Sequence, residues 1–114
     1  MEYVFAGIPV VELEAGLDWW ERLLGRPPDM RPNEGEATWQ LTETSSLYVV
    51  RDPERAGNAL VTLFVEDLDA LLAGMAERGI EAGEVGSKPG VRVTTVADPD
   101  GNRVQLGELQ QGRR

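Results

Sequence analysis

The chain contains neither cysteine nor histidine. Without cysteine there are no disulfides and no thiolate chemistry, and the redox compartment leaves no trace. Without histidine, Ser45 and Ser46 have no partner to act as base, which excludes a serine-type triad. A transition-metal site also loses its commonest neutral donor. No apolar run approaches the roughly 18 residues that a membrane span needs, and the N-terminus lacks a basic-then-apolar signal pattern. A cytoplasmic location is the resulting expectation. Lysine occurs once, at Lys88, and Lys and Arg together number 11 against 20 acids, for a net charge of −9. Nucleic-acid binding needs a basic face, so neither nucleic acid nor membrane is an expected partner. The closing pair Arg113-Arg114 reads as a solvated tail.

What is present is ordinary for a globular protein. Hydrophobic residues make up 41% and charged residues 27% of 114 positions, enough for a single domain over 1–114. Residues 3–10, YVFAGIPV, suit a buried strand that lies at a sheet edge or ends at Pro9, which has no amide donor. A helix is expected over 12–24, with Leu13, Leu17, Trp20 and Leu24 as its apolar stripe and Gly25 as its stop. Pro27, Pro28 and Pro32 mark a loop or crossing segment. Strands follow at 37–41 and 47–50, then a polar connector over 52–58, a strand at 59–65, and a helix at 66–78 capped by Gly79. The glycine-rich stretch 83–90 reads as a flexible loop over a cleft mouth. It lacks the order and the strand-to-helix context of a phosphate loop. The stretch ADPDGNRVQL, 97–106, has hairpin chemistry: Pro99 sets φ in a type I turn and Gly101 supplies the left-handed bulge position.

The two halves repeat. Val10, Leu13, Ala15 and Leu17 return 55 positions later as Val65, Leu68, Ala70 and Leu72, and Glu14 returns as Asp69. Leu47-Tyr48-Val49 returns as Val104-Gln105-Leu106, 57 positions on, and Glu21-Arg22 as Glu77-Arg78. A repeated strand–helix–strands unit presents an apolar sheet face that it cannot bury alone. The expected fold class is α+β, with two βαβββ modules at about 1–51 and 59–110.

The stretches IPVVELEAGLDWWERLLG, LFVEDLDALLAGMAERGI and ADPDGNRVQL resemble the vicinal oxygen chelate superfamily of glyoxalases, bleomycin-resistance proteins and extradiol dioxygenases. The likeness covers nearly the whole chain. It implies that the two modules pair mixed sheets into an incomplete barrel around a cleft. It also implies a homodimer, often with modules exchanged so that two chains share each cleft. Catalytic members hold a metal there with His and Glu from the first and last strand of each module. Those positions fall on Phe5, Tyr48, Leu60 and Gln105 of this sequence, which offer no such donors. Glu108 points to the other face of its strand, and a carboxylate site from Glu2, Asp52 and Glu108 reads better as solvated rim.

Phe5, Tyr48 and Leu60 would instead make the cleft apolar and aromatic. Trp39 and Phe64 could join them if the alternation of Thr38, Trp39 and Gln40 turns the indole inward. Trp19, off the stripe of its helix, could face a loop, the cleft or a second subunit. Aromatic side chains hold flat or cationic ligands by stacking and cation–π contacts. The expected function is therefore a metal-free, cofactor-free binding protein resembling the bleomycin-resistance branch. It would sequester an aromatic or cationic compound, with Phe5, Trp19, Trp39, Tyr48, Leu60, Phe64 and Gln105 as ligand-binding residues and none catalytic. Two alternatives stand beside it. One is an enzyme of the same fold, whether lyase, dioxygenase or metal-independent isomerase. The other is a non-catalytic dimerisation or regulatory module. Function resides in the site rather than the fold.

Overall fold

In the computed structural model, residues 2–110 are described, so the Arg113-Arg114 tail lies outside them. The first module comprises β1 (Val4–Val10), α1 (Leu13–Leu24), β2 (Met30–Asn33), β3 (Glu36–Thr42) and β4 (Ser45–Arg51). The second comprises β5 (Leu60–Phe64), α2 (Leu68–Glu77), β6 (Gly86–Lys88), β7 (Val91–Ala97) and β8 (Arg103–Leu109). Each module forms its own four-stranded sheet, in the orders β1-β4-β3-β2 and β5-β8-β7-β6. The first and last strands of each module run parallel, while the remaining pairs are antiparallel. The fold is thus α+β, with two βαβββ modules whose mixed sheets do not close into a barrel.

Both helices follow from their apolar spacing. α1 buries Leu13, Gly16, Leu17, Trp19, Trp20 and Leu23, a wider stripe than the four expected residues. It ends where the amide of left-handed Gly25 (φ 80°) donates to the Glu21 carbonyl. α2 starts at Asp67, whose carboxylate accepts from the Ala70 amide. It turns Leu68 and Met75 into the core, with Leu71 and Leu72 packed at its margin.

Two strands were not legible in the sequence. β2 contains Pro32 and pairs with β3 only at Met30–Thr38 and Asn33–Glu36, with a register shift between them. As an edge strand it tolerates the missing amide. β6 occupies the glycine-rich stretch expected to be a free loop. It pairs with β7, and the Gly83 amide donates to the Thr95 carbonyl while Thr94 Oγ1 donates to the Gly83 carbonyl. That stretch is stitched to its sheet. β1 lies at a sheet edge, as Pro9 suggested.

One apolar core runs through both modules on the helix-bearing side of each sheet. Ile8, Val10, Trp20, Trp39, Leu47 and Val49 join Leu68, Met75, Val104 and Leu106 in a continuous cluster. Two polar devices lock the modules together. At the hairpin tip, Asp98 accepts from the amides of Asp100 and Asn102, from Trp20 Nε1 (3.2 Å) and from Asn102 Nδ2. Fully buried Asn102 also donates to the Pro9 carbonyl (2.7 Å) and accepts from the Ala59 amide (2.9 Å), tying β1 to the approach of β5. The second device is reciprocal. Arg22 on α1 donates to the Arg78 carbonyl, and Arg78 donates to the carbonyls of Arg22 and Leu23. Each guanidinium thereby caps the C-terminus of the other module's helix, where the helix dipole favours a cation.

Candidate functional site

Strand alternation divides every side chain between two faces. On β3 and β4, Ala37, Trp39, Leu47 and Val49 turn toward the helices and are buried. Their neighbours Thr38, Gln40, Ser46 and Tyr48 therefore occupy the opposite face of sheet one, together with Phe5 and Gly7 of β1. On β8, Val104 and Leu106 are buried, so Gln105 and its partner Thr62 lie on the opposite face of sheet two, with Leu60 and Phe64. These two faces carry large apolar groups that the chain leaves uncovered: Phe5 is 57% exposed, Leu60 59% and Phe64 56%.

The face of sheet one is an aromatic cluster. The Phe5 ring lies 5.5 Å from both Tyr3 and Tyr48, edge-on to the latter. Tyr48 lies over Gly7 of β1, where a Cβ would come within 2.7 Å of its ring and force the ring to shift. The Tyr3 hydroxyl shares a 2.6 Å hydrogen bond with Ser46 Oγ. On sheet two, Phe64 covers Gly107 in the same manner, with a Cβ there 2.9 Å from the ring, and Thr62 Oγ1 donates to Gln105 Oε1 at 2.8 Å.

Five of the seven residues expected to bind ligand thus fall on these faces, Phe5 and Tyr48 on one and Leu60, Phe64 and Gln105 on the other. Trp39 and Trp19 do not, and the expectation for them is corrected. Trp39 is fully buried on the helix side, its Nε1 donating to the Arg26 carbonyl at 2.9 Å. Trp19 is 7% exposed and packs edge-on against Trp20 at 5.3 Å. Alternation alone does not say which of two strand faces meets a helix, and α1 proves wide enough to bury two neighbouring indoles. Tyr3 and Ser46 were missed, although the Tyr3-Phe5-Gly7 alternation was available to find Tyr3.

Other carboxylates turn away from these faces or pair with arginines. Glu108 turns toward α2, where its Oε1 accepts the Leu68 amide at 2.7 Å, and Asp52 pairs with Arg55 at 3.0 Å. Among the described residues no three acids converge to hold a metal ion. Asp69 pairs with Arg92 at 2.9 Å, and the arginine's hydrogen bonds hold its carboxyl below the usual aspartate value. Asp29 is lowered likewise, by hydrogen bonds from Arg26 and from the Gln40 amide. A cleft of about 560 Å³ between α1 and residues 27–31 is lined by Glu14, Asp18, Glu21 and Asp29. A second, of about 430 Å³, is mainly apolar and opens between Val4 and Ala6 of β1 and Val61 and Leu63 of β5. Of the expected residues only Phe64 borders it.

The model of the glyoxalase-like domain family matches residues 5–107. No curated protein matches the chain. Among solved structures, a glyoxalase / bleomycin resistance protein from Catenulispora acidiphila DSM 44928 is 47% identical. Its TM-score is 0.91, over 96% of this chain and 100% of that one. TnmS3, an antibiotic binding protein from Streptomyces sp. CB03234, shares the fold at 24% identity and a TM-score of 0.78, over 96% and 97% of the two chains. The bleomycin-binding protein of Streptomyces verticillus, solved with copper(II)-bleomycin, does so at 23% and 0.73, over 93% and 94%. With its duplicated βαβββ modules and a family match over nearly its full length, this chain belongs to the glyoxalase-like domain family of the vicinal oxygen chelate superfamily.

Proposed function

We propose that this chain is a small-molecule-binding protein of the bleomycin-resistance type that holds an aromatic compound without a metal. The pocket would be an apolar cleft between sheet one of one chain and sheet two of a second copy. The observation that carries this reading is what fills the family's metal-ligand positions. Phe5 and Leu60 have no donor atoms, Tyr48 is laid over Gly7, and the Gln105 carbonyl oxygen is taken by Thr62. These side chains do not fit a metal centre, which needs three or four convergent imidazole or carboxylate donors. They suit a flat apolar ligand, because each aromatic ring offers a large rigid contact surface. Relatives of the same fold described as antibiotic- or bleomycin-binding support the small-molecule reading.

The shared cleft is supported by exposure. Phe5, Leu60 and Phe64 lie more than half exposed on one chain, and two-fold association is the commonest way to cover such a face. The test is elemental analysis of protein prepared without metal resin or chelator, paired with a fluorescence titration of the neutral dye phenylnaphthylamine. The expected result is no stoichiometric metal and saturable binding of about one dye per cleft, weakened at least tenfold by Phe5→Ala. A stoichiometric transition metal whose removal abolishes binding would overturn the reading.

A further inference from the structure

We propose that the compound held in this cleft carries an anionic group that pairs with Arg103, an inference that rests on the binding reading above. The sequence suggested an aromatic or a cationic ligand, and the distribution of charge over the two faces separates these. Of the acids carried on regular elements and their caps, Glu14, Asp18 and Glu21 stand on α1 and Asp67, Asp69 and Glu77 at α2, while others, among them Glu2, Glu43 and Asp100, lie in the loops. The strand acid Glu108 turns to the helix side, as its bond to the Leu68 amide requires. On the faces opposite the helices the one strand acid is Glu36, at the outer end of β3 across from Val50. The same faces carry two bases, Lys88 on edge strand β6 and Arg103 on β8.

Arg103 is the better placed of the two. It stands directly across from Leu60 in the β5–β8 ladder, between buried Asn102 and Val104, and is exposed. Most arginines of the chain are engaged. Arg22 and Arg78 cap helices, and Arg26, Arg31, Arg55 and Arg92 pair with acids. Among the described residues no oxygen is bonded to the Arg103 guanidinium. Its planar fork matches a carboxylate, sulfonate or phosphate two bonds at a time. The net charge of −9 opposes an anion only at long range. At physiological salt, exposed charges beyond about 8 Å are largely screened, so a guanidinium in direct contact outweighs the helix-borne acids on the far side of the sheet. On the strands of these faces a cation would meet one carboxylate, Glu36, at the outer end of β3.

The experiment compares two dyes with one ring skeleton, anilinonaphthalene sulfonate and neutral phenylnaphthylamine, titrated into the wild-type chain and into R103Q and F5A. The wild type should bind the sulfonate about tenfold more tightly than the neutral dye, the effect of roughly one charge-assisted contact. R103Q should erase that preference while leaving the neutral dye's affinity in place, and F5A should weaken both. Equal affinities in the wild type, or a preference that survives R103Q, would overturn the proposal. So would an R103Q chain that falls to single-chain mass in solution, which would assign Arg103 to the subunit interface. If both dyes bind in a Phe5-dependent way without an Arg103-dependent preference, the charge proposal fails and the cleft stands. If neither binds in a Phe5-dependent way, the cleft reading fails with it.

Discussion

At the scale of single residues, burial separates the tryptophans from the phenylalanines. Indoles are the chain's largest side chains, yet Trp39 and Trp20 are wholly buried while Phe5 and Phe64 lie more than half exposed. Trp39→Phe should therefore cost roughly 1–2 kcal/mol in urea unfolding, from loss of the bond to the Arg26 carbonyl, and leave dye binding unchanged. Phe5→Ala should do the reverse, with little effect on stability and a large effect on binding. Asn102 is fully buried and its side chain makes three hydrogen bonds. Asn102→Ala strands the Pro9 carbonyl and the Ala59 amide, and is expected to cost roughly 2–4 kcal/mol in the same measurement. Gly57 is constrained differently. Its φ is +87°, and a Cβ there would run into the Asp100 carbonyl, so Gly57→Ala should lower the melting temperature of the whole chain.

At the scale of elements, the helix ends hold the modules in register. Replacing Arg78 with Met keeps the length of the side chain but removes the caps on the last carbonyls of α1. About 1 kcal/mol of stability should go with them, less at high salt where the helix-end field is screened. The start of α2 and the 27–31 segment respond to acid. Asp69 and Asp29 have carboxyls lowered in the folded chain by Arg92 and Arg26, so their ion pairs add stability above the ordinary aspartate pKa. That stability disappears as pH falls through the lowered folded values. Denaturation midpoints of wild type and of the D29N/D69N double variant, measured between about pH 6 and pH 3, should converge at the acid end. Both carboxylates are exposed, so the difference at neutral pH should be small.

At the scale of the whole molecule, a chain whose helix-bearing faces share one core leaves its other two sheet faces open. Two copies related by a two-fold axis would cover both at once, and sedimentation should give twice the chain mass. Complementation tests whether the cleft is shared. Phe5→Ala disables sheet one and Leu60→Ala disables sheet two, so each homodimer should bind dye poorly. A heterodimer of the two places both lesions in one cleft and restores the other, and co-refolded mixtures should regain binding. Mixtures that regain nothing would confine the cleft to a single chain.

The duplicated apolar spacing, the helix caps and the ADPDGN hairpin were legible in the sequence, because each is local: 3.6-residue periodicity, a left-handed glycine, a proline-set turn. The same spacing, with the resemblance it carried, located Phe5, Tyr48, Leu60 and Gln105 on first and last strands. Two strands were not legible. β2 and β6 are edge strands whose ladders are imposed by their neighbours, so Pro32 and the glycines near Gly86 hid them. Nor was the face of Trp39, since a strand's alternation has two equivalent phases until a helix packs against one of them. The sequence by itself determined the modules and the absence of histidine and thiolate donors, which are properties of order and composition. Only the tertiary structure decided that the two modules share a core through their helices, that the aromatic cluster is Tyr3, Phe5 and Tyr48, and that no acid among the described residues pairs with Arg103. Those facts depend on contacts between residues 40 or more positions apart, which no local pattern encodes.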